Sequence, residues 1–110
     1  PYAFHVAGVT LQRLGWFTEA IGLLLSAVTD DPNYAEAHFE LGACYALRSQ
    51  ENREKGRDGT VVLRDLQRAE VCFQRCLALH PPREYHNKAS AFLRGVRQDI
   101  RFLAQPSQSP

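Results

Sequence analysis

Cys72, Cys76 and His80 stand four residues apart on a stretch that reads as one helix, so two thiols and an imidazole share a face. The residue types would suit zinc. The spacing does not, because the helix between Cys72 and His80 spans about 12 Å at 1.5 Å per residue, too far for one ion held by a single helix. The pair of cysteines therefore reads as small side chains for a core, and no metal or other cofactor is expected. His5, His38, His80 and His86 are scattered, and no G-x-S-x-G, P-loop, H-E-x-x-H or C-x-x-C motif occurs. No catalytic residue is nominated, and the chain is not expected to be an enzyme. Arg94, Arg97 and Arg101 recur at helical steps and could meet phosphate, which makes an RNA-binding helical repeat one alternative function, beside an oligomerisation module of a larger protein. No base-stacking aromatics interleave with them, so a solvated helix face is the preferred reading and nucleic acid is not the expected partner.

These residues need helices to position them, and the sequence supplies five. Tyr2 to Leu14 carries Phe4, Ala7, Gly8, Leu11 and Leu14 at steps of three and four, and Gly15 follows where a left-handed residue can end a helix. Thr18 is the expected N-cap of a second helix, which is apolar almost all round through Ile21, Leu23, Leu24, Leu25, Ala27 and Val28. Asp30-Asp31-Pro32-Asn33 breaks it. Asn33 and Glu36 form a capping-box pair for a third helix ending near Leu47. Residues 48–60 are polar, carry two glycines and show no apolar period, so they read as a solvated loop. A fourth helix is expected from about Val62 to His80, stopped by Pro81-Pro82, and a fifth from Glu84 to Leu103. Residues 105–110 read as a disordered tail.

The composition fits one globular domain of 110 residues, with 45% hydrophobic and 23% charged residues. Formal net charge is only +1, though it runs from −4 over residues 1–47 to +2 over 48–82 and +3 over 83–110. That asymmetry permits head-to-tail self-association. Three cysteines, an odd number, do not suggest a disulfide-stapled secreted domain, and the expected compartment is reducing and intracellular, cytoplasmic or nuclear. No stretch approaches the ~20 apolar residues of a membrane span, so no membrane insertion is expected. The opening Pro1 suggests a piece cut from a longer protein.

An internal repeat organises the chain. Phe4, Ala7, Gly8 and Leu11 map onto His38, Leu41, Gly42 and Tyr45, each 34 positions later, while Ala20, Leu24 and Pro32 map onto Ala69, Phe73 and Pro81, each 49 later. The difference of 15 residues locates an insertion between the two helices of the second unit. The order Leu41-Gly42-x2-Tyr45, then Ala69-x3-Phe73, then Pro81 resembles the tetratricopeptide repeat family. Phe4 and His38 stand where that family favours Trp, Ala7 is smaller than Leu, and Cys76 replaces a small residue. The resemblance implies an all-α fold of antiparallel helix hairpins wound into a right-handed superhelix. Repeat 1 would cover about 1–34, repeat 2 about 35–82 with its inserted loop at 48–60, and residues 84–103 would cap the array within a domain of 1–104.

The resemblance also implies function: a protein-binding adaptor or scaffold, whose first helices line a concave groove. The positions it places there are His5, Val9, Gln12, Phe39, Ala43, Leu47, Lys88 and Phe92, though each could equally be packed in the core. Co-chaperone members of the family clamp an acidic carboxyl terminus with Lys, Arg and Asn, for which this chain offers His5, Val9 and Glu40. An apolar or amphipathic peptide or helix is therefore the expected protein partner. The insertion is either a tolerated loop or a recognition element.

Overall fold

A computed structural model describes residues 1–105, and within them the chain forms five α-helices. They are α1 (Tyr2–Arg13), α2 (Phe17–Asp30), α3 (Ala35–Glu54), α4 (Gly59–Ala78) and α5 (Arg83–Ala104), with no strand among the described residues. Each helix packs along the next in sequence, as in a series of helical hairpins, and α3 also touches α1 and α5 directly so that the three line one face. The molecule is elongated, 52 × 26 × 20 Å. The expected tail lies outside the described residues except for Gln105.

The helix ends show why the chain reverses so tightly. After α1, Gly15 adopts φ +83°, its N–H donating to the Gln12 carbonyl and the N–H of Trp16 to that of Leu11. After α3, Gly56 at φ +69° repeats the arrangement, with Gly56 bonded to Arg53 and Arg57 to Asn52. These are Schellman closures, in which a left-handed residue brings two N–H groups back onto carbonyls the helix leaves free. After α4 the left-handed residue is His80, φ 54°, and the prolines that follow cannot continue the helix.

Two expected caps are replaced by other turns. α2 begins at Phe17 without a side-chain cap, because Trp16 is already the last residue of the α1 closure. Thr18 lies inside the first turn, where its hydroxyl accepts from Arg48 Nη1 at 3.3 Å. α3 begins at Ala35 after Tyr34. Asn33 does not cap it; its N–H donates to the Asp31 carboxylate at 3.1 Å, which fixes the turn instead.

The larger correction concerns residues 48–60, where no solvated loop exists. α3 continues to Glu54 and α4 starts at Gly59, leaving only Lys55–Asp58 between them, and Asp58 caps α4 by accepting from the Thr60 N–H at 2.8 Å. The insertion lengthens both helices instead of separating them. Arg, Gln, Glu and Lys are good helix formers, and pairs at i,i+4 join Gln50 to Glu54 and Glu51 to Lys55. The apolar period is missing because the inward face of this extension is polar. Ser49 is buried with its hydroxyl on the Ala46 carbonyl, and Arg48 and Asn52 reach Asp65.

The core runs down the centre of this stack. Leu24 and Phe73 are fully buried at equivalent places in the two hairpins, each over a glycine. A methyl on Gly8 would come within 2.6 Å of the Leu24 side chain, and one on Gly42 within 2.9 Å of the Phe73 ring. The 34- and 49-residue offsets thus bring chemically equivalent residues into equivalent contacts. Phe39 packs against Phe73, Tyr85 and Phe92, at ring separations of 5.5 to 5.7 Å, and ties α3, α4 and α5 together.

Candidate functional site

The eight positions nominated for a groove fall into three groups. Phe39 and Ala43 are buried in the core, so their side chains line no surface. Periodicity alone cannot show this, because α3 is covered by α1, α2, α4 and α5 and its middle, Leu41 to Tyr45, is buried at every position. His5, Val9 and Gln12 lie half-buried on α1 beside the start of α3. His5 Nδ1 is 2.8 Å from the Tyr34 hydroxyl, and burial pushes its basicity down, opposed by the nearby Glu36. Gln12 Nε2 donates to the Cys44 sulfur at 3.3 Å and, at 3.4 Å, to the Glu40 carbonyl.

Leu47, Lys88 and Phe92 form the third group. Leu47 and Phe92 line a groove of about 580 Å³ between α3 and α5, floored by Leu66 and Val96 and walled by Ala46, Ala91 and Gly95. At one end Arg53 and Asp99 face each other at 3.8 Å across its mouth. Phe92 stacks on Phe73 with ring centroids 5.4 Å apart, so its exposed edge is held by the core. Lys88 lies on the exposed surface of α5, paired to Glu84 at 2.9 Å. It also faces Glu40, whose carboxyl is pushed up by burial and drawn down less strongly by Lys88 and Arg13. The α1/α3/α5 face therefore sets a half-buried Glu40 between Lys88 and Arg13 and becomes apolar at Leu47 and Phe92.

A second cleft, of about 390 Å³, opens on the other side of the molecule where the extension of α3 meets the first turns of α4 and α2. Asp65, 3% exposed, accepts from Arg48 Nε and Nη2 at 2.9 and 2.8 Å and from Asn52 at 3.4 Å. Charge-assisted pairing of this bidentate kind is what permits a carboxylate to be buried. Arg57, Arg64 and Arg68 line the same cleft. Sequence reading missed it, because a cleft between two helix extensions has no counterpart in a loop.

The cysteines are core residues. Cys44, Cys72 and Cys76 are free and buried, and burial pushes their thiols up to about 12, about 12 and about 11. His80 lies beyond the end of α4, and among the described residues no three potential metal ligands come together. No helix of the described chain is long and apolar enough to cross a membrane. No protein-family model matches the chain, and neither does a curated protein or a solved structure.

Proposed function

We propose that the chain is a tetratricopeptide-like, non-catalytic interaction module that receives a peptide or helix of a partner protein along its α1/α3/α5 face. The observation that carries this reading is the open apolar groove between α3 and α5, where Leu47 and the 39%-exposed Phe92 present a rigid apolar strip bounded by polar ends. Amphipathic helices dock into grooves of this kind through apolar residues at steps of three and four. Support for the repeat comes from the matched Gly8–Leu24 and Gly42–Phe73 contacts. The proposed setting is a reducing intracellular compartment, cytoplasm or nucleus, where three buried thiols persist unoxidised.

The test is an affinity capture comparing the native chain with Leu47→Glu/Phe92→Glu, after circular dichroism shows equal helicity. Partners recovered by the native chain are expected to be lost from that variant and retained by Leu14→Glu, a change at a 62%-exposed site near the opposite end. Equal recovery by all three would remove the groove from consideration.

A further inference from the structure

The α2/α4 side of the molecule carries a feature that the proposed groove does not use. Besides the polar cleft beside Asp65, an apolar cleft of about 420 Å³ lies between α2 and α4, with Leu25 and Val71 on its rims and Tyr45 at its floor. Leu25 is 43% and Val71 61% exposed. Arg64 and Arg68 line both clefts, so the two are continuous, one end apolar and the other basic.

The basic end has charge to spare. Among the described residues, the acids in this cleft are already engaged, Asp65 by Arg48 and Glu51 by Lys55 at 3.4 Å, whereas Arg57, Arg64 and Arg68 have no carboxylate partner. One of the three is also positioned. Arg68 lies over the Tyr45 ring, 5.9 Å from its centroid, with Arg48 5.6 Å from the same ring. Arg57 follows left-handed Gly56, and its backbone N–H donates to the Asn52 carbonyl at 2.9 Å, which fixes only where its side chain leaves the turn. A guanidinium held over a ring, as that of Arg68 is, loses less freedom on meeting a carboxylate, and the forked donors of all three arginines match its two oxygens.

We propose that this groove binds an acidic peptide segment carrying a large apolar side chain: the apolar group against Leu25, Tyr45 and Val71, and its flanking carboxylates on Arg57, Arg64 and Arg68. Charge complementarity selects this occupant, since three unpartnered arginines would repel a basic segment and a purely apolar one would leave them unused. Arg57 comes from the turn Lys55–Asp58 inside the insertion and Arg64 and Arg68 from α4 beyond it, which gives that insertion a part in a site separate from the α3/α5 groove.

The probe is a fluorescein-labelled peptide of alternating Asp and Glu around a central Leu-Leu pair, titrated by anisotropy against the native chain. Binding is expected to weaken at least about tenfold in Arg64→Glu/Arg68→Glu, and to fall as salt rises from about 0.05 M to about 0.3 M. Arg94→Glu/Arg101→Glu, an equal change of charge elsewhere, and Leu47→Glu/Phe92→Glu should leave it unchanged. The two arginines are exposed on α4, so the variant is expected to keep its helicity, and circular dichroism checks this. Equal binding by the native chain and Arg64→Glu/Arg68→Glu would overturn the site. A peptide with Ala-Ala at its centre binding as well would overturn the apolar half of the proposal. A single-stranded oligonucleotide of the same charge that binds more tightly would replace the peptide with nucleic acid.

Discussion

Gly42 has no room for a side chain, because the ring it faces, Phe73, is itself fully buried and cannot swing away. Gly42→Ala gains about 1 kcal/mol in helix propensity but forces an overpacked contact costing about 1–3 kcal/mol, so net destabilisation is expected. Phe73→Ala should cost about 3–5 kcal/mol by leaving a cavity where three helices meet. Urea denaturation of the two variants measures both, and an unmoved midpoint for Phe73→Ala would dismiss the alignment of the two hairpins. The thiols make a prediction in pH. A group whose proton is held more tightly in the folded state contributes stability that is complete below its unfolded value and is lost as pH rises towards the folded one. With Cys44 and Cys72 moved from an ordinary 9.0 to about 12, thermal stability should fall between those pH values. The fall should be shallower in Cys72→Ala, and Ellman's reagent should react slowly until the chain is denatured.

At the scale of the element, the joint between α3 and α4 depends on Gly56 and the Arg48–Asp65 pair. Gly56→Ala places a Cβ on a left-handed residue and should cost about 1 kcal/mol while loosening Arg57. Asp65→Ala strands a half-buried guanidinium and should cost about 3 kcal/mol, the low end for breaking a buried pair because Arg48 still reaches solvent. Arg48→Met/Asp65→Leu, which removes both charges, should recover much of that loss in thermal melts. The same joint marks where sequence reading stopped. Only the resemblance to the repeat family pointed to Leu47 and Phe92, whereas capping residues and breakers bracketed α2 and α3 and steps of three and four located α1, α4 and α5. They could not assign Phe39 and Ala43 to the core, because a helix buried on every side has no preferred face. Nor could they see helices through residues 48–54, whose inward contacts are Ser49 to a carbonyl and Arg48 and Asn52 to an acid. A buried polar face leaves the same pattern in sequence as a solvated one, and with it went the basic cleft.

Across the whole molecule, the two ends differ. α5 turns Arg94, Arg97 and Arg101 outward to solvent, and Arg97 is further tied to Glu70 of α4 at 3.0 Å. α1 instead leaves Val6, Leu14 and the neighbouring Trp16 exposed, with Arg13 its one charged residue. Local stability should follow this gradient. Hydrogen exchange is expected to be slowest in the middle of α3 and α4, where most of the core lies, and fastest in α1, with α5 between. Uniform protection along the chain would contradict that order. The packing of every helix on its neighbour in sequence has a kinetic consequence as well. Native contacts are made across short turns, so little loop-closure entropy separates the unfolded chain from its first hairpin, and such chains fold in microseconds to milliseconds. Stopped-flow refolding should therefore finish largely within the mixing time, with the α3–α4 hairpin leading.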